Sequence, residues 1–207
     1  TTCSYCGVGC NLEASVKDGK VVSIDTPKQT EVNAGHTCVK GRYAFGFYDH
    51  PDRLRSPLIK KDGKFEKASW DEAYEFIKKK LEKIKKENGP DAIAGISSAR
   101  CTNEENYIFQ KMIRAAVGTN NIDCCARICH SPTAWGMQQT FGTGAATNST
   151  EDIYHADLFL VIGANPTNAH PVTGAKIKQQ VMKGKKLIVL DPIETEVAKL
   201  ADYHIRL

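Results

Sequence analysis

Four cysteines near the start of the chain, Cys3, Cys6, Cys10 and Cys38, follow the spacing C-x2-C-x3-C-x27-C and constrain its folding more than any other feature. Three thiols within eight residues, joined by a distant fourth, can surround one compact inorganic core and leave no ligand position for water. Thiolates suit iron, and four of them complete a cubane 4Fe-4S cluster. Gly7 and Gly9 stand between the ligands, where positive-φ turns would let successive sulfurs face one centre. Two other readings compete. Structural zinc also uses C-x2-C pairs, with His36 available as a partner, but its remaining ligands usually form a second close pair. Disulfides are less apt, because three crowded thiols sit in a chain long enough to fold on a hydrophobic core.

The 207 residues are 41% hydrophobic and 25% charged with 8 prolines, as in soluble α/β proteins of one or two domains. The longest apolar runs, such as Leu158 to Ala164, are too short to span a bilayer, so no membrane insertion is expected. The net charge is +4, and its densest source, Lys78-Lys79-Lys80 to Lys85-Lys86, is interspersed with Glu75, Glu82 and Glu87. That pattern is a solvated helix face, not a nucleic-acid patch. No Met precedes Thr1, so the natural N-terminus and any targeting signal are expected to be missing. A cytoplasmic protein is expected, with the periplasm left open.

The chain divides into a metal-organised unit, residues 1–52, and an alternation of helix and strand, residues 53–207. In the first, Asn11 to Lys17 and Lys20 to Thr26 flank Asp18-Gly19, a hairpin turn signal. Residues 51–67 form a connector with a second hairpin at Asp62-Gly63. Ser69 with Glu72 makes a capping box, and Trp70, Ala73, Tyr74, Ile77, Leu81 and Ile84 then recur at helical spacing until Gly89-Pro90. One face of this helix is expected to pack. Ala92 to Ile96 reads as a strand; Thr102 with Glu105 caps a second helix with Ile108, Met112, Ala115 and Ala116 facing inward. Asp157 to Ile162 and Lys186 to Leu190 read as strands buried on both faces, with a helix from Pro171 to Lys183 between them. The order predicts an α/β fold in which a small N-terminal iron-sulfur β unit precedes a doubly wound, mostly parallel sheet with helices on both faces.

Two further groups of residues carry chemistry. The first strand of the last pair runs into Gly163-Ala164-Asn165-Pro166-Thr167-Asn168-Ala169-His170-Pro171, the second into Asp191-Pro192-Ile193-Glu194-Thr195-Glu196. Ligands of open α/β sheets bind at the carboxyl ends of strands, so a phosphate or nucleotide is implied. Neither stretch fits a GxGxxG or Walker pattern, and ordinary turn chemistry is the alternative. Asp191 could bind a ribose or guanine edge, or cap the next helix. The other group is Arg127-Ile128-Cys129-His130-Ser131-Pro132-Thr133, with a cysteine at a strand-to-helix junction beside a proton-exchanging histidine. A buried, inert Cys129 is the competing reading. Cys101, Cys124 and Cys125 show no interpretable spacing and are treated as packing residues.

Together these groups resemble the catalytic subunit of the molybdopterin oxidoreductases, in particular the molybdenum- or tungsten-dependent formate dehydrogenases. The resemblance runs through T-T-C-S-Y-C-G-V-G-C at the start, C-V-K-G-R from Cys38 to Arg42, R-I-C-H-S-P-T from Arg127 to Thr133, G-A-N-P-T-N-A-H-P from Gly163 to Pro171, and D-P-x-x-T-E-x-A-x-x-A-D from Asp191 to Asp202. It implies that Cys3, Cys6, Cys10 and Cys38 ligate a 4Fe-4S cluster, and that Lys40 lies between this cluster and a pterin and passes electrons. Cys129 would bind the molybdenum or tungsten, with His130 as its acid/base neighbour. Gly163, Asn165, His170, Asp191 and Thr195 would contact a bis(molybdopterin guanine dinucleotide) cofactor.

The implied reaction oxidises formate to carbon dioxide, or the reverse. Electrons would pass to an iron-sulfur or flavin subunit that reduces a nicotinamide, to a ferredoxin or to a hydrogenase. A nitrate reductase of the same build, an electron-transfer module as in complex I and a zinc-stabilised binding domain are the alternatives, and Cys129-His130 favours formate. Chains of this family continue for several hundred residues past such a segment, so an N-terminal fragment, inactive alone, is expected. Ile193 departs from the family, which commonly has arginine there, and Asp191 and Thr195 are the better phosphate-site candidates.

Overall fold

The computed structural model describes all residues from Thr1 to Leu207. In chain order its elements are β1 (Glu13–Lys17), β2 (Lys20–Asp25), α1 (Val39–Tyr43), β3 (Leu58–Lys61), β4 (Lys64–Lys67), α2 (Trp70–Asn88), β5 (Gly95–Ser97), α3 (Asn103–Lys111), β6 (Ile122–Cys124), α4 (Ser131–Phe141), β7 (Leu158–Ile162), α5 (Pro166–Ala169), α6 (Pro171–Met182), β8 (Lys186–Leu190) and β9 (Tyr203–Ile205). They form two compact units, residues 1–53 with 148–207, and residues 54–147. The sequence divides once, after residue 52; in space the last sixty residues pack with the first fifty-three.

In the first unit β1 and β2 pair antiparallel through a turn whose two residues, Asp18 and Gly19, have φ of 50° and 73°. That left-handed pair matches the strand twist, which is why the Asp-Gly signal was informative. Strands β7, β8 and β9 form a parallel sheet in that order. Its core is Val161, Leu187, Val189, Val197 and Ala198, with Val181 of α6 packed against them. Leu187, Val189 and Val197 are wholly buried, each contributing about 1.5–3 kcal/mol. Asp202 accepts bonds from the Lys186 ammonium at 2.8 Å and the Leu187 N–H at 2.9 Å, tying the chain to β8 before β9 begins. A second core joins the two ends of the sequence: Cys10, Leu12 and Ile24 pack with Val172 of α6.

Helix α6 is held against α5 by the absence of one side chain. A Cβ on Gly174 would lie 2.8 Å from the Thr167 nitrogen and 2.9 Å from the Pro166 carbonyl carbon. Both are backbone atoms, so a rotamer change cannot relieve the clash. Gly174→Ala is expected to destabilise the protein by about 1–3 kcal/mol, the usual cost of overpacking. A denaturation midpoint equal to that of the parent would refute this.

In the second unit β3 and β4 form the connector hairpin, with Asp62 and Gly63 at φ of 46° and 83°. Helix α2 begins with the expected capping box: Glu72 N–H donates to Ser69 Oγ at 3.2 Å, and Ser69 N–H donates to Glu72 Oε2 at 2.7 Å. That bond and the Ser69 hydroxyl hold the Glu72 carboxyl below its ordinary range. The helix ends at Gly89, φ 82°. Strands β5 and β6 pair in parallel across α3, over a core of Ile93, Ile113 and Val117.

Four expectations need correction. The strand at 92–96 starts at Gly95, because Pro90–Ala92 coil into a 3-10 turn. The inward face after Thr102 is Phe109, Ile113 and Val117, with Ile108 and Met112 exposed. The inward row keeps a four-residue spacing one position on from the expected face, and residues Met112–Val117 form a π turn at its end. The apolar face of α2 is largely uncovered, with Tyr74 and Ile77 exposed. Strand β7 is buried on one face only: Phe159 and Val161 reach the core while Leu158, Leu160 and Ile162 are exposed. Helix α6 and residues 197–201 both lie on the same side of that sheet. The parallel order of a doubly wound fold is present, divided between a two-stranded and a three-stranded sheet. No helix is long and apolar enough to cross a membrane.

Candidate functional site

The first three cysteines lie on a loop closed by backbone bonds. Thr1 and Leu12 exchange two bonds of 2.8 Å, and Cys3 N–H donates to Cys10 O at 2.8 Å. Thr2 and Asn11 complete an antiparallel bridge between them. Gly9 takes a left-handed φ of 70° just before Cys10, as expected. Gly7 has no positive φ, contrary to expectation; its missing side chain faces His170, whose Nε2 would lie 3.5 Å from a Cβ there.

The fourth thiol arrives on α1, for which Cys38 is the residue before the first turn. Arg42 anchors that helix to β2 by donating to Asp25 Oδ1 at 2.7 Å. Gly41 is the buried residue of that helix, where a Cβ would collide with Thr37 Oγ1 and stand 3.4 Å from Cys3 Sγ. The glycine of C-V-K-G-R therefore lets helix and loop approach. Lys40 is exposed on the same helix.

Asn33, which the sequence reading missed, fixes the two cysteine-bearing segments together. It is fully buried; its Oδ1 accepts from Asn11 N–H at 2.8 Å, and its Nδ2 donates to Asn11 O at 3.3 Å and His36 O at 2.7 Å. One side chain thus links the residue after Cys10 to the turn before Cys38. Ala34 and Gly35, at φ of 45° and 77°, make the turn that aims it.

Burial, and then the charges of Cys3, Cys6 and Cys38, push the Cys10 thiol up to about 11. The sulfurs of Cys3, Cys6 and Cys38 each lie within electrostatic reach of Cys10 and would repel it as thiolates, so this donor set fits a cationic core. No three His, Cys, Asp or Glu side chains converge closely enough for one ion; a core of several atoms, unlike one ion, holds its ligands apart. All eight cysteines are free thiols.

Cys129 and His130 belong to the second unit. Cys129 is exposed, its N–H donating to Ala126 O at 3.2 Å, and His130 is the residue before α4. The three cysteines treated as packing residues are not core: Cys101 is exposed, Cys124 and Cys125 half-buried. The last two stand at the carboxyl end of β6 with their sulfurs 3.9 Å apart. The Ala99 N–H donates to Cys125 Sγ at 3.2 Å, and this bond first, with Cys124 and Ser98 after it, lowers the Cys125 thiol below its ordinary range.

The remaining candidates sit where β7 and β8 end. Gly163, at φ 57°, donates to Leu190 O at 2.8 Å and so joins the two loops. Asn165 Oδ1 accepts from Asn168 N–H at 3.3 Å; Asp191 Oδ1 accepts from Ile193 N–H at 2.9 Å; Thr195 Oγ1 accepts from Ala198 N–H at 3.3 Å. The turn chemistry set against a ligand role is therefore present in all three. It engages one atom of each side chain and leaves Asn165 Nδ2 and Asp191 Oδ2. Thr167 Oγ1, in the same loop, is buried without a partner. His170 links α5 to α6 and is exposed; Ile193 is exposed.

Residues 53–207 match the family described as molybdopterin oxidoreductase, and residues 1–50 match the molybdopterin oxidoreductase Fe4S4 domain. The chain belongs to the molybdopterin oxidoreductases. Those two domains call for a 4Fe-4S cluster and a molybdopterin carrying molybdenum or tungsten. Among relatives of this molybdopterin oxidoreductase, F420-dependent formate dehydrogenase 1 subunit alpha of Methanococcus maripaludis is 46% identical over 207 residues, 100% of this chain and 30% of that protein. Formate dehydrogenase H of Escherichia coli K12 is 41% identical over 214 residues, again 100% of this chain and 30% of the relative. Acetylene hydratase from Pelobacter acetylenicus has a similar structure, with a TM-score of 0.73, 28% identity, and coverage of 98% of this chain and 28% of that one. The chain thus spans about 30% of the length of these two relatives.

Proposed function

We propose that this chain is part of the catalytic subunit of a formate dehydrogenase, which converts formate to carbon dioxide, one proton and two electrons, or runs the reverse. The observation that carries the reading is identity of 46–47% over all 207 residues to three proteins named as formate dehydrogenase alpha subunits. Residues 1–52 are the cluster domain and residues 53–207 belong to the molybdopterin domain. When bound, the molybdenum or tungsten on its bis(molybdopterin guanine dinucleotide) supplies the two-electron redox chemistry.

Each residue then has a task. Cys3, Cys6, Cys10 and Cys38 hold the 4Fe-4S cluster, and Asn33 keeps their two segments in register. Lys40, on the helix that carries Cys38, is the cation between cluster and pterin. Cys129 is the soft ligand to molybdenum or tungsten, and its exposure leaves the sulfur free to coordinate. His130, the residue beside Cys129, takes up the proton released from formate. The Gly163–Asn165 and Asp191–Thr195 loops receive the nucleotide of the pterin through Asn165 Nδ2, Asp191 Oδ2 and backbone N–H groups, with His170 beside them. Electrons leave by the cluster to an accepting partner, and the F420-dependent names of three relatives make F420 the acceptor to test first.

The test is anaerobic production of the full-length protein with iron, molybdate and tungstate supplied. Expected are a brown protein containing iron with molybdenum or tungsten, and formate-dependent reduction of a viologen dye. Iron without either heavier metal and without turnover would reduce the chain to an electron-transfer module. Zinc in a colourless protein would end the cluster reading.

A further inference from the structure

Lys176 is a charged residue with 3% of its surface exposed. Its ammonium donates to the Val32 carbonyl at 2.9 Å and lies 5.3 Å from the centre of the Tyr154 ring. No carboxylate is within salt-bridge distance. A buried ammonium is costly unless an opposite charge or several acceptors compensate it. A single carbonyl and one aromatic face compensate little.

The missing countercharge is indicated by the neighbours. Lys176 and Cys38 line one small cavity of about 140 Å³, with Thr37 on the side of Cys38 and Val172 and Ala175 on the side of α6. Val172 belongs to the apolar core that holds Cys10 and touches Cys3. Lys176 thus shares a small cavity with the fourth thiol, with His36 and Gln179 among its other walls, and its buried charge is poorly screened by solvent. Four thiolates around iron make a centre of net negative charge, and its reduction potential depends on the charges nearby.

We propose that Lys176 is a positioning residue for the cluster: its buried ammonium balances the anionic centre held by Cys3, Cys6, Cys10 and Cys38, and raises the potential at which that centre takes up an electron. The same side chain holds the 30–36 turn through Val32, and so couples the helix to the approach of Cys38. This rests on the cluster reading above.

The test is a redox titration of the complete enzyme, followed by the paramagnetic signal of the reduced cluster. Lys176→Met removes the charge while filling the space. Lys176→Gln also removes it but keeps a donor for Val32, and Lys176→Arg keeps the charge. Both neutral variants are expected to titrate at lower potential than the parent with unchanged iron content, and the arginine variant close to the parent. Loss of iron from both neutral variants, with retention in Lys176→Arg, would equally support the charge. A neutral variant that keeps its iron and its midpoint overturns the inference, as does loss of iron from Lys176→Arg, which would assign the residue to packing. An iron-free parent would instead overturn the cluster reading itself, before any potential is compared.

Discussion

Cys129→Ala in the full-length enzyme is expected to keep its iron and brown colour and to lose formate turnover by more than about a hundredfold, since even loss of a residue supporting a metal ligand costs ten- to a hundredfold. The position makes the experiment clean. Cys129 is exposed and its side chain fills no core, so truncation neither opens a cavity nor disturbs the bond from its N–H to Ala126 O. A fall in turnover with an unchanged melting curve therefore reports on chemistry. Cys129→Ser should fall between the two, because oxygen is a harder ligand than a metal already bound by sulfur prefers. Turnover equal to the parent would remove Cys129 from the reaction. The comparison must include Cys125, whose thiol the Ala99 N–H lowers below its ordinary range. Cys125→Ala is expected to retain activity, and loss there instead would move the site to the end of β6.

Cys10→Ala should have the largest structural effect. Cys10 is 5% exposed within the core formed with Leu12, Ile24 and Val172, so the change removes a proposed ligand and hollows a packed site. Binding energy of a structural metal centre is folding energy. Iron content is expected to fall nearly to zero and the thermal transition of the unit formed by residues 1–53 and 148–207 to drop or broaden. Cys101→Ala, at an exposed thiol, is the control that should leave both unchanged. Full iron content in the Cys10 variant would exclude the quartet as the ligand set.

What could be read without coordinates was local. Asp18-Gly19 and Asp62-Gly63 carry their own backbone preference, and both became hairpin turns; Ser69 with Glu72 and Thr102 with Glu105 each closed a capping box over three residues. The four N-terminal cysteines could be found because their spacing is itself the signal. Residues whose role depends on distant partners stayed invisible. Asn33 matters through Asn11, and Lys176 through Val32, 144 residues away in the chain; neither has a pattern around it. The N-A-G run at 33–35 was a usable hint of a left-handed turn, but nothing in it names Asn11. Inward faces were misjudged for a different reason: the neighbouring rows Ile108 with Met112 and Phe109 with Ile113 and Val117 are both apolar, and spacing alone does not say which of them meets the core.

The floor under the thiol loop also sets an order of events during synthesis. A nascent chain that has emerged as far as Cys38 already displays every N-terminal sulfur, yet Val172 and Lys176 are still untranslated. Iron delivered at that moment would meet ligands with no packed base beneath them and open to oxygen. Stable loading is therefore expected to follow the birth of α6, and a chain truncated before residue 171 should retain far less iron than the full-length protein when both are offered the same iron and sulfide.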